Sequence, residues 1–165
     1  MKEQFKDIIR EHHAMLYKIG RSYTSEEADF KDLYQEMLIQ LWKSMKRFKG
    51  KAKLSTWVYR VVLNTALTYK RNKKRRAFTI GRVQTIPSTE LESLPLPEDS
   101  SSTEDRVELL YRCINQLKKD ERAIILLYLE NHKYEEIAEI TGLSTNHIGV
   151  KILRIKNQLA KLLSA

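Results

Sequence analysis

Apolar residues recur along this chain at steps of three and four. Phe5, Ile8, Ile9, His12, Leu16 and Ile19 fall on one helical stripe, and Leu33, Tyr34, Met37, Leu38, Leu41 and Met45 fall on a second. A third helix is predicted to begin near Ser55, a suitable N-cap, and to bury Val58, Val61, Val62, Thr65, Ala66 and Tyr69. Downstream, Val107, Leu110, Tyr111, Ile114 and Leu117 make a fourth stripe, and Asp120 is placed to cap a fifth helix carrying Ile124, Ile125, Leu127, Tyr128 and Leu129. No stretch of useful length alternates with period two, so no strand is predicted. Between the two helical blocks lie all three prolines, Pro87, Pro95 and Pro97, among serines, threonines and acidic residues. That composition predicts a flexible acidic linker over residues 77–105. The expected fold is all-α: two small helical domains, 1–76 and 106–165, each with a modest core and joined by the linker.

The stretch EIAEITGLSTNHIGVKILRIK, Glu136 to Lys156, sits in the second domain. A short helix from about Tyr134 to Thr141 turns Ile137 and Ala138 inward, and the small Ala138 lets a second helix cross closely. Gly142 supplies a turn conformation that a Cβ resists, Leu143 plugs the corner, and Ser144 caps a longer helix. There Ile148, Ile152, Ile155, Leu159 and Leu162 form a core side, while His147, Lys151, Arg154 and Gln158 run along a neighbouring side. The pattern is a helix-turn-helix, which grips duplex DNA by presenting its second helix to a major groove. Its candidate contacts are Ser144, Thr145, Asn146, His147, Gly149, Lys151, Arg154 and Lys156. The basic groups suit phosphates or guanine edges, and Asn146 suits adenine.

Charge changes the picture of the first block. The chain carries a net +9, divided as +11 over residues 1–76, −5 over 77–105 and +3 over 106–165. No acidic residue occurs between Glu36 and Glu90, while Lys49, Lys51, Lys53, Arg60 and Arg71 all fall inside that gap. Solvated helix faces usually mix both signs, so a one-signed stretch suits a polyanion. Trp57 and Tyr59 lie within it, each fit either for the core or for stacking unpaired bases, and Asn64 could read a base edge. On the helix DLYQEMLIQLW the apolar stripe leaves Asp32, Gln35, Glu36 and Ile39 on the opposite side, either a solvated face or a docking face. The single Cys113 excludes an internal disulfide, and His12, His13, His132 and His147 have no zinc-ligand spacing, so neither metal nor cofactor is expected. No apolar run approaches a membrane span and the N-terminal MKEQFKDIIREHH lacks a signal-peptide core, which predicts a cytoplasmic protein with no direct membrane insertion.

With both blocks in view, the chain resembles the extracytoplasmic-function (ECF) group of bacterial RNA polymerase sigma factors. FKDIIREHHAMLYKIG, DLYQEMLIQLW and KLSTWVYRVVLNTALTYKRNKKRR look like successive segments of sigma domain 2, and LKKDERAIILLYLENHKYEEIAEITGLS looks like the approach to the recognition helix of domain 4. The resemblance implies a transcription initiation factor without enzymatic activity of its own. Asp32, Gln35, Glu36 and Ile39 would dock on core RNA polymerase, while Lys49, Lys51, Lys53, Trp57, Arg60, Asn64 and Arg71 would open and capture the minus-10 element as an unpaired strand. The helix-turn-helix contacts would take the minus-35 element as duplex promoter DNA. The resemblance also implies an anti-sigma factor, membrane-bound, as a partner. Many members carry a basic residue followed by a small polar one where this chain has Gly149 and Val150, which puts the minus-35 sequence in question. The competing reading is a stand-alone helix-turn-helix regulator that binds duplex DNA as a dimer. An enzyme acting on nucleic acid would need a carboxylate or His/Cys constellation that the sequence does not offer.

Overall fold

A computed structural model describes the backbone of residues 1–79 and 104–164, and side chains for 1–69 and 105–164. The described residues form seven helices and no strand. In the first block α1 spans Lys2–Tyr23, α2 Glu27–Met45 and α3 Leu54–Thr79. In the second, α4 spans Glu104–Asn115, α5 Lys119–Leu129, α6 Tyr134–Thr141 and α7 Thr145–Ser164. Both stripes predicted for α1 and α2 face inward, and Ile9, Leu16, Leu33, Met37 and Leu41 are fully buried. Met15 and Tyr23 join them.

The α1–α2 crossing depends on one small residue. A Cβ built on Gly20 would lie 2.8 Å from Cε2 of Phe30, whose ring is buried and packed edge-on against Tyr17 at 5.2 Å. The Arg21 guanidinium covers the same ring at 4.0 Å and donates to Glu27 Oε2 at 2.8 Å. Glu27 and Asp29 in the first turn of α2 suit the positive end of the helix dipole.

Two predicted caps are not caps. Helix α3 starts at Leu54, so Ser55 lies inside its first turn and the Lys53 carbonyl accepts from the Trp57 N–H at 3.1 Å. Helix α5 starts at Lys119, with Lys118 as N-cap, and the Lys118 N–H donates to Glu121 Oε2 at 3.2 Å. Asp120 is thereby freed for the partner described below. Val107 and Leu129, expected inside, are exposed, because the first lies near the start of α4 and the second at the last turn of α5. Helix α3 runs to Thr79 and α4 begins at Glu104, at the two ends of the expected linker. The remaining expected linker, 80–103, lies outside the described residues.

The two blocks pack on each other, and their buried apolar residues form one cluster rather than two separate cores. Polar contacts seal the junction. The Tyr23 hydroxyl donates to the Lys119 carbonyl at 2.6 Å, Asn115 Nδ2 donates to the Arg21 carbonyl at 3.1 Å, and Lys18 pairs with Glu130. The Tyr59 ring meets His132 edge-on at 4.7 Å. Tyr59 is therefore a core residue at the junction, and the stacking role left open for it is not available in this arrangement.

Candidate nucleic-acid interface

Helices α2 and α3 cross so that a polar groove of about 370 Å³ opens between them, lined by Glu36, Gln40, Ser44, Val61, Asn64, Thr65 and Thr68. Glu36, from the predicted docking face, and Asn64, from the predicted strand-capturing face, thus line one cavity. Gln40 Nε2 donates to Glu36 Oε1 at 2.8 Å, which holds that carboxylate at the rim. Asp32 and Gln35 are exposed on the same side of α2, and Ile39 is half-buried. The Tyr69 hydroxyl of α3 donates to Asp32 Oδ2 at 2.7 Å, tying the predicted docking face of α2 to α3.

The loop from α2 to α3 carries Lys49, Lys51 and Lys53, all exposed, and turns at Gly50, whose φ of +70° favours glycine. Trp57, half-buried at its base, lies against Phe48 with ring centroids 5.0 Å apart. Of the residues expected on α3, Asn64 is exposed. Arg60 is exposed but committed, its Nη2 donating to the Glu139 carbonyl of α6 at 2.6 Å. The Arg71 side chain lies outside the described residues.

In the second block the turn forms as its residues require. Gly142 takes φ +79° and its N–H donates to the Ala138 carbonyl at 2.8 Å, while Ser144 Oγ accepts from the His147 N–H at 3.2 Å. Ile148, Ile152, Ile155 and Leu159 are buried, and Thr145, Asn146, His147 and Arg154 are exposed.

The basic residues do not share one face. Lys151 reaches back to Asp120 Oδ2 at 2.9 Å, a bond that holds the Asp120 carboxyl below its ordinary range. Lys156, five residues on, comes about 140° round the helix from Lys151. It lies over the Tyr128 ring at 4.4 Å, and the Tyr128 hydroxyl raises its pKa. Gly149 is half-buried beside the Tyr134 ring, 3.6 Å from where a Cβ would stand.

Residues 8–76 match the family model for Sigma-70 region 2, and residues 107–159 match the model for Sigma-70, region 4. The chain belongs to the ECF group of the sigma-70 family. Members of this family are regulatory, DNA-binding initiation factors rather than enzymes. ECF RNA polymerase sigma factor SigG of Mycobacterium tuberculosis is 31% identical over 151 residues, covering 79% of this chain but only 41% of SigG. ECF RNA polymerase sigma-E factor of Salmonella typhimurium is 28% identical over 159 residues, covering 92% of this chain and 82% of the relative. Among solved structures, the sigma factor RpoE in complex with the anti-sigma factor NepR, from Bartonella quintana, superposes with a TM-score of 0.69 at 20% identity, over 99% of this chain and 98% of that one. CnrH in complex with the cytosolic domain of CnrY follows with a TM-score of 0.65 at 21% identity, over 99% of this chain and 90% of that one. These two likenesses establish the sigma fold.

Two features of this sigma factor were not read from the sequence. One is the junction between the blocks, which engages Arg60. The other is a pair of exposed apolar side chains on α7, Val150 and Leu153, 51% and 63% exposed. A helical wheel of residues 145–164 would have placed both opposite the isoleucine stripe.

Proposed function

We propose that this chain binds core RNA polymerase and directs promoter-specific initiation of transcription, acting as a cytoplasmic initiation factor that supplies recognition and leaves RNA synthesis to the polymerase. The observation that carries the reading is the α2–α3 groove. One polar cavity joins the acidic docking side, through Glu36, to Asn64 on the basic side, in a chain that also holds a helix-turn-helix. A regulator that only grips a duplex has no use for such a groove.

In this reading Asp32, Gln35, Glu36 and Ile39 meet the polymerase. Lys49, Lys51 and Lys53 hold the backbone of the unpaired minus-10 strand, Trp57 and Asn64 receive its bases, and Arg60 and Arg71 extend that surface. Ser144, Thr145, Asn146, His147, Gly149, Lys151, Arg154 and Lys156 engage the minus-35 duplex. Domain 2 would span 1–76, domain 4 would span 106–165, and an anti-sigma factor, membrane-bound, would be the regulating partner. Arg60 commits Nη2 to the Glu139 carbonyl and has its remaining N–H donors to offer to DNA.

Run-off transcription with bacterial core polymerase and a genomic fragment library tests this. Promoter-specific transcripts dependent on the added chain are expected. Tight duplex binding by the chain alone, with no specific transcript, overturns the reading. Charge reversal at Asp32 and Glu36 should abolish polymerase association and leave duplex binding intact.

A further inference from the structure

A cavity of about 350 Å³ opens where the two blocks meet and shares no lining residue with the α2–α3 groove. Tyr23, Asp29 and Tyr69 line it from the first block, and Asn115 and Arg122 line it from the second. At about 30 Å³ for each water, that space holds roughly a dozen heavy atoms, the size of a small metabolite. The hydrogen-bonding groups of its walls are unevenly spent. Arg122 donates from Nε to the Leu117 carbonyl at 2.9 Å and from Nη2 to the Asn115 carbonyl at 2.6 Å, and its fork has further N–H donors. No carboxylate among the described residues, Asp29 included, is in ion-pair range of it. Burial pushes the guanidinium below its ordinary pKa, and only Tyr23, whose ring lies 5.3 Å away, opposes that shift. A half-buried cation without an anion is best completed by a carboxylate, which matches the guanidinium fork with two parallel bonds. Acceptors, by contrast, are in surplus. Asp29 brings a carboxylate, which has about four lone-pair sites. Asn115 spends Nδ2 on the carbonyls of Arg21, Thr24 and Tyr111 and keeps Oδ1 as an acceptor. The hydroxyl protons of Tyr23 and Tyr69 go to the Lys119 carbonyl and to Asp32 Oδ2, so these two residues add ring surface and no donor.

One cation and several acceptors in a single cavity require an occupant that is anionic at one end and a donor at the other. We propose that this cavity binds a small organic carboxylate that also carries a hydrogen-bond donor, either an ammonium or a hydroxyl. The carboxylate forks onto Arg122, the donor meets Asp29 and Asn115 Oδ1, and the carbon skeleton lies against the rings of Tyr23 and Tyr69. Because the walls come from both blocks, a bound ligand favours their packed arrangement. The site uses none of the residues assigned to polymerase or promoter, and it stands independently of the sigma reading.

The experiment titrates the full isotope-labelled chain with three acids of matched size: 3-phenylpropanoate, which has no second donor, L-phenyllactate, which has a hydroxyl, and L-phenylalanine, which has an ammonium. The Arg122 Nε–H and Asn115 Nδ2 nuclear magnetic resonance signals report occupancy from inside the cavity. Saturable shifts are expected, with phenyllactate or phenylalanine binding about tenfold more tightly than 3-phenylpropanoate, the gain of one charge-assisted hydrogen bond. Whichever of the two wins identifies the donor as hydroxyl or ammonium. Asp29→Ala, a change to a good helix former in the first turn of α2, should remove most of that advantage. Asp7→Ala, an exposed carboxylate lost from α1, should leave it intact. No saturable shift with any of the three acids, equal affinity for all of them, or a preference that survives Asp29→Ala overturns the proposal and leaves the cavity to water.

Discussion

Asp120→Asn tests whether the ion pair across the second block restrains a DNA contact. Lys151 Nζ lies 2.9 Å from Asp120 Oδ2, with the lysine side chain 22% exposed and the aspartate 59%. An ion pair so open to solvent contributes roughly 0.2–1 kcal/mol. The place of Asp120 in the first turn of α5 adds a dipole interaction of about 0.3–1 kcal/mol. The substitution should thus cost about 1 kcal/mol, read as a lower midpoint in urea.

The pH dependence has a definite sign. Lys151 lowers the folded pKa of Asp120 below its ordinary value of 3.8, so the stabilisation is present above that value and disappears as pH falls through the folded pKa. Wild type and variant should therefore differ at neutral pH and converge in acid. The effect on DNA runs the other way. In the free chain Asp120 neutralises Lys151; with asparagine there, Lys151 meets phosphate as an unpaired cation. The slope of log affinity against log salt should steepen by about 0.9, the value for one further phosphate neutralised. Duplex binding measured by fluorescence anisotropy between low and moderate salt gives that slope, and adding Lys151→Met to the variant should return it to the original. An unchanged slope in Asp120→Asn would refute a phosphate contact by Lys151, and a stability loss well above 2 kcal/mol would refute the treatment of the pair as screened.

Gly20→Ala should destabilise the first block by about 1–3 kcal/mol, because the new methyl would collide with the Phe30 ring; chemical denaturation followed by circular dichroism measures it. Gly149→Ala should stabilise the second block by roughly 0.5–1 kcal/mol, since a Cβ there finds only an ordinary contact with Tyr134 and the helix gains a better former; a raised midpoint in the same assay is the expected result. Tyr34→Phe should leave stability unchanged or raise it by about 1 kcal/mol, as the buried Tyr34 hydroxyl has no hydrogen-bond partner among the described residues; a loss of stability would mean that the hydroxyl is satisfied.

Much of this fold was legible because helical periodicity records a buried face directly. Phe5 to Ile19 and Leu33 to Leu41 step at the helical period, and those stripes are where the cores of α1 and α2 formed. The turn was legible for a stronger reason: Gly142 and Ser144 act through local backbone chemistry, φ +79° at one and a side-chain cap at the other, which neighbours along the chain suffice to fix. Ser55 and Asp120 do not cap because a capping residue is defined by where its helix starts, and α3 and α5 start at Leu54 and Lys119, each two residues before the start that such a cap would set.

By itself the sequence determined the helices, the turn, the charge asymmetry between the blocks and the residue types available for each contact. These depend on spacing along one chain and on side-chain chemistry, both of which the sequence carries outright. What each charged or aromatic group faces depends on how helices distant in sequence cross, and that was decided only by packing. The meeting of Asp32 with Tyr69, of Glu36 with Asn64 in one groove, of Lys151 with Asp120 and of Arg60 with Glu139 all bridge separate helices. Periodicity says which side of a helix is buried, and the crossing of helices says against what.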